Sequence, residues 1–418
     1  MTLATRRFFM STLSMLTLAG SSALARSTNH PDILDAIASR DIDALEAWRG
    51  EGDDKQLADA VVLALRHKDE HAIARLTAFA ASNAPVKMRA TALTELGAIY
   101  LRQSQFSLSH KAFTAAGELD PSLASEVQTQ TTAFVAALSQ APAMSLVQSD
   151  PTTLPLTRDL AGLARIDVAF DANSLSAVLD SGAAFSTITQ TTAQKLGLTF
   201  LESSASVGSV SRAAITTRFA VASKLRIGKA VLKDVVFIVL PDEQLSFAGG
   251  KYTIDVIIGL PVMLDLGKLT FASEGVSETF SFDAKGKTPG KPNLILSGVQ
   301  PLMQVRTAQG GHRLRMFVDT GARQTSLHRT ALLDYPDLGK QAETKAATVG
   351  GAGGTAVDAA AMVLPRLLLE AAGRQINLPN IRVLSKAQPD RHGEIGQDFL
   401  RQAKSFTLDF NSMILSMA

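Results

Sequence analysis

The chain has 418 residues, 46% of them hydrophobic and 19% charged, with a formal net charge of +2. That length suits two or three domains and that balance suits a folded core, so a disordered chain is excluded. Lysine and arginine form no dense block, which argues against a nucleic-acid binder, and the absence of cysteine excludes disulfides and thiolate chemistry.

Residues 1–25 form the first predicted element. Arg6 and Arg7 precede an apolar run over residues 8–18, and Ala23-Leu24-Ala25 has the small-x-small form of a signal-peptidase site. The run is shorter than the ~20 residues that span a bilayer. Thr5-Arg6-Arg7-Phe8-Phe9-Met10 resembles a twin-arginine export signal. An ordinary secretory signal fits equally well. Either implies export to the periplasm or beyond, with no further membrane span. Losing Arg6 and Arg7 leaves 39 basic side chains against 39 acidic ones.

Residues 26–148 read as a helical domain. From about Pro31 to Gln140 the chain is rich in Ala and Leu, with apolar residues recurring at three and four. Leu93, Leu96, Gly97, Tyr100, Phe113, Ala116 and Pro121 fall at the spacings of a tetratricopeptide repeat, which this segment resembles. Ser109 departs from the pattern, standing where a small Ala is usual. Val62 and Phe79 hint at a degenerate neighbour. One repeat cannot bury its own faces, so other helices must cap it. His67-Lys68-Asp69-Glu70-His71 has the spacing H-x-x-E-H of a zinc motif. This polar island falls where the turn between two helices is expected, so no metal is predicted there.

After residue 148 the pattern turns to short strands. Ile166, Val168 and Phe170 alternate with other residues, Asp171-Ala172-Asn173-Ser174 signals a turn, and "LSAVLD" returns. This strand ends on Asp180, in Asp180-Ser181-Gly182-Ala183. A second copy, Asp319-Thr320-Gly321-Ala322, lies 139 residues on, after the Gly- and Pro-rich segment "DAKGKTPGKPN". The surroundings repeat as well. "SVGSVSRAA" matches "TVGGAGGTA", and "VIIGLPVM" matches "GEIGQDFL". Asp180 to Gly259 is 79 residues and Asp319 to Gly396 is 77. The predicted layout is a signal at 1–25, helices at 26–148, one β-lobe at 149–284, a linker at 285–292 and a homologous β-lobe at 293–418.

The duplicated Asp-Ser/Thr-Gly-Ala signature, each copy after an apolar pair and before an apolar-apolar-Gly element, resembles the retropepsin-like aspartic proteases, relatives of the two-lobed pepsins. The second copy departs at Glu394, where an apolar residue should precede Ile395-Gly396, and this questions the packing beneath Asp319. The resemblance covers about residues 155–418. It implies a multi-domain α and β protein: a tetratricopeptide-like helical region followed by two homologous all-β acid-protease lobes. It implies an aspartic endopeptidase in which Asp180 and Asp319 share one proton and activate water. Ser181 and Thr320 would tie the two loops together. Gly182 and Gly321 would let backbone N–H groups approach the carboxylates, and Ala183 and Ala322 would leave room for substrate. Gly208 and Gly350 would sit in flaps over an extended substrate. The expected partner is a peptide or protein substrate, with a further protein partner at the helices as an open option. No cofactor, metal or nucleic acid is expected, and the single chain should be competent as a monomer. The competing class is a non-catalytic peptide- or protein-binding module with a protease-like fold and a helical partner-binding domain.

Overall fold

The computed structural model describes residues 32–123, 125–207, 215–247, 250–351 and 354–418. The expected export signal over residues 1–25 and Gly208 lie outside the described residues. Among the described residues, seven α-helices come first: α1 (Ile33–Ala38), α2 (Ile42–Glu46), α3 (Gly52–Leu65), α4 (Asp69–Ala80), α5 (Val86–Arg102), α6 (Phe106–Leu119) and α7 (Glu126–Ala137). Polar side chains start several of them. Asp32 accepts from the Leu34 N–H, Asp41 from Ala44 and Ser125 from Gln128, each satisfying a donor that a helix start leaves open. Gly97 of α5 lies against the Phe113 ring of α6, and the Ser109 hydroxyl donates to the Gly97 carbonyl at 2.7 Å. That hydrogen bond ties α6 to α5 in a way an alanine at residue 109 could not. His67 stands in the α3–α4 turn with φ of 55°, so His67 and His71 do not share one helix.

The first lobe comprises β1 (Ser145–Gln148), β2 (Thr152–Arg158), β3 (Ala164–Phe170), β4 (Asn173–Leu179), β5 (Ser186–Thr189), α8 (Gln190–Lys195), β6 (Thr199–Val207), β7 (Ile215–Ile227), β8 (Ala230–Leu240), β9 (Ser246–Phe247), β10 (Tyr252–Thr253), β11 (Val256–Ile258), α9 (Leu260–Leu266), β12 (Lys268–Glu274) and β13 (Ser277–Asp283). The predicted hairpin is β3–β4, paired Phe170 to Asn173 around Asp171 at φ 49°. Strands β3-β4-β11-β5-β8-β7 run in order and close through β3–β7. Closure removes the exposed sheet edges.

The second lobe comprises β14 (Leu294–Ser297), β15 (Gln300–Thr307), β16 (Arg313–Val318), β17 (Ser326–His328), α10 (Arg329–Asp334), β18 (Glu343–Thr344), β19 (Ala347–Gly351), β20 (Gly354–Asp358), β21 (Met362–Ala371), β22 (Arg374–Leu384), β23 (Gly393–Ile395), α11 (Gln397–Leu400), β24 (Ser405–Asp409) and β25 (Ile414–Met417). Its barrel repeats the first, with β15-β16-β23-β17-β22-β21 closed through β15–β21. An N-terminal helical region followed by two all-β lobes is the fold class expected from the sequence, and each lobe proves to be a closed six-stranded barrel.

Two further devices assemble the molecule. Strand β24 of the second half pairs antiparallel with β12 of the first, giving one shared sheet β25-β24-β12-β13-β2. Phe271 and Phe406 stack across that seam with centroids 4.6 Å apart. The helices meet both lobes. Phe134 packs on Phe185 and Phe219 at 5.1 and 5.4 Å, and Phe106 on Phe185 at 6.2 Å. Such pairs contribute about 0.5–1.5 kcal/mol each beyond their burial. On the other side, Ile295, Leu302 and Phe317 join the apolar cluster of α1–α5, and Arg66 donates to the Leu294 carbonyl at 2.9 Å.

Candidate active site

Each barrel ends a central strand on an aspartate. Strand β4 runs parallel to β11, and the Asp180 N–H donates to the Ile258 carbonyl at 3.0 Å. Strand β16 runs parallel to β23, and the Asp319 N–H donates to the Ile395 carbonyl, also at 3.0 Å. The apolar pairs before the aspartates, Val178-Leu179 and Phe317-Val318, are all 1% exposed or less. Their burial anchors both turns.

Gly259 and Gly396 then bring the next segment against each turn. A Cβ on Gly259 would stand 2.5 Å from the Phe185 backbone carbon, and one on Gly396 would stand 2.6 Å from that of Gln324. No side chain fits at either position. The Gly259 N–H donates to the Ser186 hydroxyl and the Gly396 N–H to the Thr325 hydroxyl, both at 3.1 Å.

The two turns grip one another. The Ser181 N–H donates to the Thr320 hydroxyl at 2.9 Å, and the Thr320 N–H to the Ser181 hydroxyl at 3.0 Å. Each hydroxyl then donates across the interface, Ser181 to the Val318 carbonyl at 2.7 Å and Thr320 to the Leu179 carbonyl at 2.9 Å. All four bonds are buried, where a lost partner is expensive.

This grip brings the carboxyls together. Asp180 and Asp319 are each 1% exposed. Asp180 Oδ1 accepts from the N–H groups of Gly182 and Ala183 at 2.8 and 3.1 Å. Asp319 Oδ1 accepts from Gly321 and Ala322 at 2.8 and 2.9 Å. A Cβ on Gly321 would land on the Asp180 carboxylate. Asp180 Oδ2 is buried with no N–H or hydroxyl of the described residues to meet it, and the Asp319 side chain neighbours the Asp180 carboxyl. Two carboxyls make a hydrogen bond only when one carries a proton. Burial, and then the Asp319 charge, push Asp180 well above the usual carboxylate range.

The other predicted residues are placed unevenly. Ala183 and Ala322 are 1% and 2% exposed beside the pair. Gly350 lies in the β19–β20 hairpin, opposite Thr355 and near its tip. Arg382 fastens that hairpin, donating to the Thr348 carbonyl at 3.1 Å and to Gln324 Oε1 at 2.8 Å. In the first lobe the comparable strand β6 is held from outside, where the Ser203 hydroxyl donates to the Ala137 carbonyl at the end of α7.

Sequence reasoning missed Gln397. Its Nε2 donates to the Thr320 carbonyl at 2.6 Å, while Arg158 donates to its Oε1 at 3.0 Å. A signal was present, because the matching position of the first lobe is the apolar Leu260. Phe185, five residues after Asp180 and packed under α6 and α7, was also missed.

Comparison with known families finds a match in the first lobe. Residues 166–262 match the family described as aspartyl protease, less than a quarter of the chain. No curated protein matches the chain.

Proposed function

We propose that the protein is an exported aspartic endopeptidase in which Asp180 and Asp319 form a single catalytic dyad. The aspartyl-protease domain over residues 166–262 supports an aspartic protease-like function. The observation that carries the finer reading is the reciprocal grip of the two loops, which faces one carboxyl with the other in a buried setting. In this mechanism the ionised member takes a proton from water as it attacks the peptide carbonyl. The protonated member donates to the carbonyl oxygen. The pair acts as one titrating unit, and the proton belongs to neither residue alone. The β19–β20 hairpin and the β6–β7 hairpin would cover substrate from two sides and hold its backbone extended. The helices, read as tetratricopeptide-like, would bind a protein partner or steer substrate. The N-terminal 25 residues would direct export.

The test is hydrolysis of a mixed peptide library by purified protein. Asp180→Asn and Asp319→Asn should each lower the rate by roughly 10³-fold or more, with unchanged thermal unfolding. A chelator should have no effect. Substantial hydrolysis by either variant would sink the mechanism.

A further inference from the structure

The internal repeat breaks at one buried position beneath the second aspartate. Strand β23 lies between β16 and β17, with Glu394 opposite Phe317 and Ser326. In the first lobe β11 places Ile257 opposite Val178 and Thr187. Register thus puts Glu394 where the first lobe has Ile257. The next residue, Ile395, supplies the carbonyl that holds the Asp319 N–H.

Glu394 is 6% exposed. Three groups face it. Asp319 ends β16, His328 ends β17 with Nε2 3.7 Å from Glu394 Oε1, and Arg391 precedes β23. Arg391 is fully buried. It donates to Gln300 Oε1 at 2.5 Å, stands 3.6 Å from the Asp390 carboxylate, and lies 5.2 Å from the centre of the Phe317 ring. Neither ring nitrogen of His328 has a hydrogen-bond partner among the described residues. Burial, with the charges of Arg391, His392 and Lys386, holds His328 well below its usual range, which disfavours a charged ring there. A neutral ring does not offset a charge on Glu394.

Burying a carboxyl where the twin strand carries Ile is costly, and such groups collect at working sites. Burial and the Asp319 charge push Glu394 up to about 7, against a smaller pull from Arg391. Coupling between two ionisable groups is mutual, so a charge on Glu394 must raise the pair in turn.

We propose that Glu394 is a positioning residue for the proton of the Asp180–Asp319 pair: a third buried carboxyl on the strand beneath Asp319, whose charge lets the pair keep its shared proton to higher pH. The proposal rests on the peptidase reading. Below its midpoint Glu394 is neutral and adds nothing. Above it, an anion stands near Asp319, and a like charge hinders loss of the remaining proton. Provided that the working acid is lost above the Glu394 midpoint, the alkaline limb of activity therefore lies higher than two carboxyls alone would place it. The acid limb is reached with Glu394 protonated and is unaffected.

The experiment compares kcat/KM against pH for the wild type, Glu394→Gln and Glu394→Ile. The isoleucine variant copies the first lobe and keeps a folded comparison should the glutamine variant unfold. Both should move the alkaline limb down by about one pH unit and leave the acid limb in place. An unmoved alkaline limb in both overturns the proposal. A second readout needs no turnover: the ¹³C-carboxyl NMR titration of Glu394 in the wild type and in Asp319→Asn. Its midpoint should fall in the variant, and a midpoint indifferent to the substitution overturns the coupling. A wild type without peptidase activity would count against the proposed function instead, and the titration alone would then decide the coupling.

Discussion

Thr320 and Ser181 occupy equivalent places and differ by one methyl group, which makes the grip between the lobes testable at a single atom. The Thr320 hydroxyl accepts from the Ser181 N–H and donates to the Leu179 carbonyl. Thr320→Val keeps the shape and strands both backbone groups in a buried interface. It should cost about 2–4 kcal/mol, read as a lower urea midpoint. Thr320→Ser restores the first-lobe residue and should cost under about 1 kcal/mol. Equal losses for the two variants would show that packing, not the hydroxyl, holds the loops. Much of this site is legible in the sequence, because Asp180-Ser181-Gly182-Ala183 and its copy are short, contiguous and repeated. Gln397, Phe185 and the surroundings of Glu394 are not. Their partners, Thr320, Phe134 and His328 among them, come from elements that only the fold brings together. Glu394 is visible in the sequence as a broken pattern, and its chemical setting is visible only in three dimensions.

At the scale of the element, two glycines in adjacent helices separate packing from propensity. Gly97 in α5 lies so close to the Phe113 ring that a Cβ would stand 2.6 Å from it, whereas a Cβ on Gly117 in α6 meets nothing within 4 Å. Gly97→Ala should therefore destabilise by about 1–3 kcal/mol through overpacking. Gly117→Ala should be neutral or stabilise by up to about 1 kcal/mol through helix propensity. Thermal melts of the full chain measure both, and a harmless Gly97→Ala would mean that α5 and α6 do not pack as described. Local patterns made the helices and the β3–β4 hairpin readable, since periodicity and the Asp171-Ala172 turn lie within a few residues. The β12–β24 pairing was not readable. It joins Leu269 to Leu408 and Phe271 to Phe406, and short alternating strands so far apart carry no mark of their partner.

At the scale of the whole molecule, one chain carries two copies of the barrel. The shared sheet β25-β24-β12-β13-β2 joins the two halves at the seam. The helices lie across both, through Phe106 and Phe134 on one side and Arg66 with the Ile295–Phe317 cluster on the other. If both carboxyls of the site come from the same chain, the active unit is a monomer. The most direct measurement of this claim is peptide hydrolysis by an equimolar mixture of Asp180→Asn and Asp319→Asn proteins, beside the wild type at the same total concentration. Each variant has one intact lobe, so a site built between chains would regain an Asp–Asp pair on mixing. The expected result is a mixture as inactive as its components, and a wild type whose specific activity is unchanged on dilution well below micromolar. Recovery of about a quarter or more of the wild-type rate on mixing would contradict it.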